Sequence, residues 1–212
     1  SYQRHRAQIK EKTEEVLTYI DQEITHHQPV QLAITGSAAL GIAEKFSIPF
    51  VQEVIATQEA VENYSEPIDV VIELGGEDAK ILFLTNGVEV RMNGSCAGGT
   101  GAFIDQMAVL LNVELEEMDQ LASQADCIYP IASRCGVFAK SDIQPLLNQG
   151  ASKENVAASI FQAVVNRTIG GLAQGRDLVG RMMFLGGPLT FFKSLQKSFV
   201  NTLKLTPEMG IF

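Results

Sequence analysis

The residues best suited to chemistry include two acidic side chains placed around a pair of glycines. The segment from Glu73 to Asp78, which contains Gly75 and Gly76, directly follows the β-branched run Val70–Ile72. At such a junction bare backbone N–H groups can face an anion, and the carboxylates can hold Mg²⁺ through water. A glycine-rich hairpin turn with solvated acids fits the same pattern, and this segment alone does not decide between the two interpretations.

A second glycine pair, Gly186 and Gly187, follows the apolar run Met182–Leu185. Paired glycines after a buried strand let a flat ligand or a phosphate approach the backbone, because no β-carbon stands in the way. Neither pair belongs to a Walker A loop. The Lys140-Ser141 pair lacks the glycine that precedes the lysine in such a loop, so a P-loop fold is disfavoured.

Two of the three cysteines stand beside features that favour a thiolate. Cys96 precedes Gly98–Gly101, the approach to a predicted helix whose unpaired N–H groups would attract an anion, and Cys135 follows Arg134. The alternative for each is an ordinary small buried hydrophobe, which is also what we expect of Cys127. Two cysteines cannot complete a four-thiolate site within one chain, so a cluster would need a second copy.

Several other classes of site have no support in the sequence. The Gly94–Gly101 stretch lacks the third glycine of a dinucleotide fingerprint. His5 lies apart from His26 and His27, and two adjacent histidines do not share a helix face, so a histidine metal site is not expected. No Ser-His-Asp set is visible.

The composition is that of an ordinary globular chain. Of 212 residues 46% are hydrophobic and 19% are charged, with a formal net charge of −9 that argues against a general nucleic-acid binder. No apolar run approaches the roughly 18–20 residues of a membrane span. Three cysteines are too few for a disulfide framework, and we expect a cytoplasmic protein with no membrane partner.

The first third of the chain alternates predicted helices with short predicted strands. Apolar residues recur at helical spacing over about the first 26 residues, and short apolar runs and small-residue stretches follow. The predicted elements are a strand at Val30–Thr35, a helix at Ala38–Phe46, a strand at Ile48–Val51 and a helix at Thr57–Tyr64. Ser65-Glu66-Pro67 then interrupts the pattern, and we predict a lobe boundary there.

Beyond that boundary the pattern predicts a hairpin followed by helices. Two strands flank Asn86-Gly87, the strongest short hairpin signal, and together with Val70–Ile72 they predict three antiparallel strands. A helix is expected after Gly101. Ser141 resembles the start of a capping box, and Ser152 the start of a longer helix that reaches about residue 171.

Four segments resemble motifs of one known family. They are Glu73–Lys80, Asn93–Gly101, Ser133–Asp142 and Leu185–Gly187, and they occur in that family's order over nearly the whole chain. The sequence resembles the BadF/BadG/BcrA/BcrD ATPase family, which includes the activators of 2-hydroxyacyl-CoA dehydratases.

The resemblance implies an α/β protein with the actin-like, hexokinase-like (ribonuclease H-like) ATPase fold, in which two lobes with mixed sheets close on ATP and Mg²⁺. Residues 1–69 would form a partial first lobe and residues 70–212 the second lobe. Nothing in the sequence resembles the family's first phosphate loop. We therefore expect an incomplete first lobe and weak or absent ATP binding by this piece.

The resemblance also implies roles for particular residues. The second phosphate loop falls on Glu73–Asp78, with Glu73 and Asp78 as catalytic residues and Gly75 and Gly76 at the nucleotide, although the family usually has Asp at the first place. The adenosine loop falls on Gly186 and Gly187.

For the metal centre, the family's cluster ligands fall on Cys96 and Cys135, so that a homodimer would share one [4Fe–4S] cluster. The implied activity is ATP hydrolysis coupled to electron transfer. The implied acceptor is a 2-hydroxyacyl-CoA dehydratase-type enzyme, and the implied donor is reduced ferredoxin or flavodoxin.

Two other functions remain open from the sequence. One is a regulatory or interaction module on an ATPase fold, with zinc-binding or otherwise structural cysteines. The other is a small-molecule kinase on the same fold, which would leave the paired cysteines unexplained.

Overall fold

The computed structural model describes residues 8–85, 87–94, 98–132 and 136–212. The chain divides into two compact units, residues 1–64 and residues 65–212. In the first unit the described elements are α1 (Ile9–Tyr19), which continues as a π-helical turn (Ile20–Ile24), β1 (Ile34–Thr35), a 3₁₀ turn (Ser37–Ala39), α2 (Leu40–Phe46), β2 (Phe50–Val51) and α3 (Glu53–Glu62). Strands β1 and β2 pair in parallel.

The predicted elements of the first unit are confirmed in type, but their bounds differ. The strand predicted to begin at Val30 is limited to β1, because only Ile34 and Thr35 find a partner strand. Helix α3 begins at Glu53, four residues before the predicted start at Thr57. Gln52 adopts the extended conformation of a helix N-cap, although its side chain makes no capping hydrogen bond, so the sequence lacks the usual start signal.

The second unit carries a mixed five-stranded sheet with helices. Its elements are β3 (Val70–Leu74), β4 (Ala79–Phe83), β5 (Glu89–Met92), α4 (Gly101–Leu111), α5 (Leu115–Ser123), α6 (Gly136–Asn148), α7 (Lys153–Thr168) with a π-helical extension (Ile169–Ala173), β6 (Met182–Leu185), α8 (Gly187–Phe191), α9 (Lys193–Leu203) and β7 (Gly210–Ile211). The strand order is β5-β4-β3-β6-β7.

The sheet joins an antiparallel half to a parallel half at β3. Strands β3, β4 and β5 are antiparallel, which confirms the predicted three-stranded arrangement, and β3 pairs in parallel with β6, which in turn pairs in parallel with β7. Asn86 of the predicted turn lies outside the described residues. Because parallel neighbours end at the same edge, the loops after β3 and β6 are brought together.

Helix α7 forms the centre of the helical layer. It packs against α5 and α9, and ten of its residues are buried. The stretch Lys153–Ala173 is long and apolar enough to span a membrane by length and composition, but 67% of its most apolar window is buried inside the fold. This is the pattern of a core helix. Ser152 caps α7 as predicted, since its hydroxyl accepts a hydrogen bond from the Asn155 N–H.

The predicted capping box at Ser141 is wrong. Helix α6 begins at Gly136, so Ser141 lies inside it and its hydroxyl donates to the Val137 carbonyl one turn earlier. A serine bound to its own helix in this way gives the same sequence signal as a serine that starts one.

Candidate functional site

The two predicted glycine loops lie at the same edge of the sheet. Strand β3 leads into Gly75 and Gly76, and its parallel neighbour β6 leads into Gly186 and Gly187. The contact between them is close, because a β-carbon at Gly186 would lie 2.0 Å from the Leu74 carbonyl oxygen. Gly186 has a φ of +96°, which side-chain-bearing residues rarely adopt. Glycine is therefore required where the second loop passes the end of β3.

The first glycine loop is a tight turn held by its own backbone. The Gly75 N–H donates to the Asp78 carbonyl oxygen at 2.8 Å, so this amide does not face an anion as the sequence suggested. A β-carbon at Gly75 would lie 2.2 Å from Asp78 Oδ1, whereas one at Gly76 would have no neighbour within 4 Å. The Asp78 carboxylate thus lies against the turn, while Gly76 leaves open space.

A buried lysine joins the two predicted catalytic carboxylates. In the β3–β4 register Lys80 stands opposite Glu73, and the Lys80 Nζ lies 3.1 Å from Glu73 Oε1 and 2.8 Å from Asp78 Oδ2. The lysine side chain is only 1% exposed. The structure therefore brings Glu73 and Asp78 to one cation, which the sequence analysis did not identify.

The electrostatic effect of this arrangement is to keep Lys80 charged. Burial alone lowers the pKa of a lysine, because the charged form loses its hydration. Here the hydrogen bonds and charges of Asp78 and Glu73 outweigh burial, and the pKa of Lys80 is raised above its ordinary value. An ammonium in contact with two carboxylates is consequently part of the site at any physiological pH.

The first turn of α4 is bound to the first glycine loop. The N–H groups of Gly101 and Ala102 donate to the carbonyl oxygens of Gly75 and Gly76 at 2.9 and 2.7 Å. A β-carbon at Gly101 would lie 3.3 Å from both the Gly75 carbonyl oxygen and the Gly76 Cα. The prediction of unpaired amides at this helix start is therefore wrong for these two groups.

Both predicted cluster cysteines lie outside the described residues, Cys96 between Gly94 and Gly98 and Cys135 between Ala132 and Gly136. The residues that follow each of them can be described. Gly98 precedes α4 by a short turn. A β-carbon at Gly136 would lie 3.0 Å from Gln106 Oε1 and 3.7 Å from Phe103, both on the early turns of α4. The described chain downstream of each cysteine thus reaches the same end of one helix.

The loop that leads towards Cys135 is fixed by side chains of α7. Asn155 Oδ1 accepts from the N–H groups of Asp126 and Cys127 at 3.0 and 3.2 Å, and Ser159 Oγ accepts from the Tyr129 N–H at 2.8 Å. These residues were missed by the sequence analysis. The available signal was a pair of polar residues at i and i+4 within the part of the helix where apolar residues are most frequent.

Further along, Asp142 of α6 accepts from the Ala132 N–H at 2.7 Å. Cys127 is exposed, which contradicts the expectation of a buried hydrophobe. It lies in the loop just described, whose backbone is held by α7 and in which Asp126, Cys127 and Ile128 are exposed. Within residues 8–85, 87–94, 98–132 and 136–212, no group of three or more His, Cys, Asp or Glu side chains is placed to hold a metal ion.

The sequence profile of the BadF/BadG/BcrA/BcrD ATPase family matches residues 5–205. The chain belongs to this family. The (R)-2-hydroxyglutaryl-CoA dehydratase activating ATPase of Acidaminococcus fermentans is 35% identical over 122 residues, which are 57% of this chain and 46% of that protein. The activator of lactoyl-CoA dehydratase of Anaerotignum propionicum is 37% identical over 120 residues, covering 55% of this chain and 46% of that protein.

The match to these two relatives therefore spans just under half of their length. Among solved structures, the activator of the 2-hydroxyisocaproyl-CoA dehydratase from Clostridium difficile with bound ADPNP superposes with a TM-score of 0.81 at 22% identity, covering 95% of this chain and 74% of that one. This likeness confirms the predicted actin-like ATPase fold. The chain is thus similar to named dehydratase activators in sequence and, for the solved structure, in fold.

Proposed function

We propose that the full-length protein is an ATP-dependent iron–sulfur activator that transfers an electron to a 2-hydroxyacyl-CoA dehydratase-type enzyme. The observation that carries this proposal is the pair of hydrogen bonds from Gly101 and Ala102 to the Gly75–Gly76 turn. They tie the proposed phosphate loop to α4, the helix that follows the proposed cluster ligand Cys96. The named relatives that activate such dehydratases support the choice of acceptor.

In this proposal ATP binds at the edge of the sheet where β3 and β6 end. Gly76 leaves space for phosphate, Gly186 and Gly187 form the adenosine loop, and the Glu73 and Asp78 carboxylates hold Mg²⁺ through water or orient the attacking water. Phosphoryl transfer depends mainly on positioning and charge neutralisation, which suits a site built from backbone turns and fixed carboxylates.

Cys96 and Cys135 would hold a [4Fe–4S] cluster together with the same two cysteines of a second copy. Two thiolates per chain become four across a two-fold axis, because such an interface presents the same patch from each subunit. The described neighbours are compatible with this donor set, since the chain that follows each cysteine meets the early part of α4. When bound, the cluster would supply one-electron chemistry whose potential depends on hydrogen bonding and solvent exposure.

This chain would couple the nucleotide to the cluster through the hydrogen bonds between the Gly75–Gly76 turn and α4. A change in the Gly75–Gly76 turn on nucleotide binding or hydrolysis must move the two carbonyl groups that α4 binds, or break those hydrogen bonds. The Gly101 position allows little slack, because even a β-carbon there would be 3.3 Å from the turn. We therefore place the link between nucleotide and cluster in this contact.

The partners of the dimer would be a reduced electron carrier and a dehydratase. The dimer would receive its electron from reduced ferredoxin or flavodoxin in the cytoplasm and pass it to the dehydratase. The proposal includes no binding to nucleic acid or to a membrane.

The proposal is tested by removing single cysteines. Anaerobically reconstituted full-length protein is prepared as Cys135→Ala and Cys96→Ala, with Cys127→Ala as the matched control, because Cys127 is exposed and has no proposed ligand role. We expect the first two variants to lose iron, sulfide and the charge-transfer absorption band and to shift towards monomer. The control should keep all four properties. Iron and sulfide analysis with size-exclusion chromatography gives the readouts.

A cluster lost in Cys127→Ala alone, or retained in both Cys96→Ala and Cys135→Ala, would contradict the proposed ligands. Wild-type protein that binds zinc rather than iron after anaerobic reconstitution would favour the regulatory module instead. Phosphorylation of a small acceptor by iron-free protein would favour the kinase.

A further inference from the structure

Lys80 is the only charged side chain that is fully buried among the residues that the structure describes. It lies on β4 between Ala79 and Ile81, both of which are buried as well. Its ammonium contacts the Glu73 carboxylate from the neighbouring strand and the Asp78 carboxylate from the turn that joins the two strands. One cation therefore spans the start and the end of the first glycine loop.

The Asp78 carboxylate lies between the Lys80 ammonium and the Gly75 backbone. Its Oδ2 atom lies 2.8 Å from Lys80 Nζ, and its Oδ1 atom lies so close to Gly75 that a β-carbon there would be 2.2 Å away. If the ammonium were removed, Asp78 would lose the contact that directs it onto the Gly75 turn. The Glu73 carboxylate would at the same time lose the partner opposite it in the register.

Stability alone gives a weak reason for a lysine at this position. Burying an ion pair costs hydration of both charges, and well-packed apolar side chains of similar volume are often as stable or more so. Every neighbour of Lys80 along β4 is apolar and buried, so an apolar residue would fit the pattern of the strand. The geometry of the two carboxylates is what distinguishes lysine from such a residue.

We propose that Lys80 is a positioning residue of the nucleotide site, which fixes the Glu73 and Asp78 carboxylates against the Gly75–Gly76 turn. This inference rests on the proposed nucleotide site and deepens it, because the family resemblance implied roles for Glu73 and Asp78 and none for Lys80. The lysine acts through the carboxylates and does not itself contact the nucleotide. Its loss should consequently affect turnover more than nucleotide affinity.

The experiment uses four variants of the full-length protein. Lys80→Met removes the charge at similar volume, Lys80→Arg keeps a cation of different shape, Glu73→Gln neutralises one partner, and Leu82→Ala is the matched control. Leu82 is buried on the same strand and face as Lys80, but it is separated from the carboxylates. The readouts are steady-state ATP turnover, ADPNP affinity, thermal unfolding and iron content.

We expect Lys80→Met to lower kcat roughly 10- to 100-fold, in line with the effect of small misplacements of catalytic groups, and to change ADPNP affinity far less. Lys80→Arg should give intermediate turnover. Glu73→Gln should also lower kcat more than affinity. Leu82→Ala should lose stability but keep turnover at temperatures at which it is folded.

Turnover in Lys80→Met that equals wild type, or that falls only in proportion to its loss of stability as in Leu82→Ala, would overturn the positioning role. If Lys80→Met does not fold, Lys80→Arg decides. The larger, planar guanidinium cannot keep both carboxylates where the ammonium holds them, so wild-type kcat in that variant would contradict the positioning role. Iron content separates the two proposals. If the protein holds no iron but its turnover still depends on Lys80, the electron-transfer proposal fails and this inference stands. If the protein holds iron and its turnover does not depend on Lys80, this inference fails and the electron-transfer proposal stands.

Discussion

Gly186 lies where the neighbouring backbone leaves no room for a side chain. A side chain there would meet the Leu74 carbonyl at 2.0 Å, which is a backbone atom that cannot rotate away, and φ is +96°. We predict that Gly186→Ala lowers the free energy of unfolding by about 2–4 kcal/mol. Urea denaturation of this chain measures the change.

Gly76→Ala is the control for that prediction. It adds the same methyl group to the other loop, at a position with no neighbour within 4 Å, and Gly76 is not among the glycines with positive φ. Its stability should stay within about 1 kcal/mol of wild type. Equal losses in the two variants would mean that the loops do not pack as the structure has them.

The positions of both glycine pairs directly after strands were predictable from the sequence, but the partners of the neighbouring acids were not. Glu73, Asp78 and the two glycine pairs follow predicted strands, and parallel pairing of those strands brings the loops to one edge. Lys80 was included in a motif without a role, because an isolated lysine in an apolar run gives no sign of which carboxylates it will meet. The identity of these carboxylates follows from the β3–β4 register, which places Glu73 opposite Lys80. The register is known only once the two strands are paired in the sheet.

The segment that leads towards Cys135 depends on α7 for its course. Asn155 accepts two backbone N–H groups of that loop, so Asn155→Ala leaves both to solvent. We predict a loss of stability of about 0.5–1.5 kcal/mol and faster loss of iron from reconstituted protein, although no proposed ligand is changed. Thermal unfolding and the rate of iron release to a chelator are the measurements.

Asn166→Ala is the matched control, because Asn166 is an exposed asparagine on the same helix whose side chain accepts only from Gln162 among the hydrogen bonds that the structure gives it. It should retain iron like wild type. Equal rates of iron release from the two variants would show that the loop does not need its support from α7.

Helices α4 and α7 were predictable from the sequence, whereas the other helices of the second unit were predicted incompletely or not at all. Periodicity predicted α4 and α7, whose apolar faces are long, and the serine cap fixed the start of α7. The capping signal at Ser141 misplaced the start of α6, because that serine bonds within the helix. Helices α5, α8 and α9 were not predicted. Those helices follow short or mixed patterns whose meaning depends on packing: α5 and α9 lie against α7, and α8 lies against α9, β3 and β6.

The main hydrophobic core of the described chain belongs entirely to the second unit. All of its members lie at or beyond Val70, whereas the buried apolar residues described in the first unit are Ala43 and Val61. We predict that residues 65–212 alone unfold cooperatively in urea, with a midpoint close to that of the whole chain. Residues 1–64 alone should show no cooperative transition, since the two buried apolar residues in the described part of that unit are too few to offset the loss of chain entropy.

Circular dichroism and amide exchange of the two pieces test this prediction. A non-cooperative transition in residues 65–212 would mean that the second unit needs the first to fold. The fold class and the order of the site segments were available from the resemblance to a family. The division of the core between the units was not, because it depends on contacts between residues far apart in sequence.

The parallel pairing of β3 with β6 also determines the order in which contacts of the site can form during synthesis. Strands β3 and β4 are neighbours in the chain, so the Glu73–Lys80 pair can form while the protein is still being synthesised. Gly186 can reach Leu74 only after β6 has left the ribosome, because a parallel partner needs a long crossover connection. A nascent chain can therefore form the Glu73–Lys80 ion pair before β6 completes the sheet edge that carries both glycine loops, and until then one edge of β3 has no partner strand and is open to a chaperone.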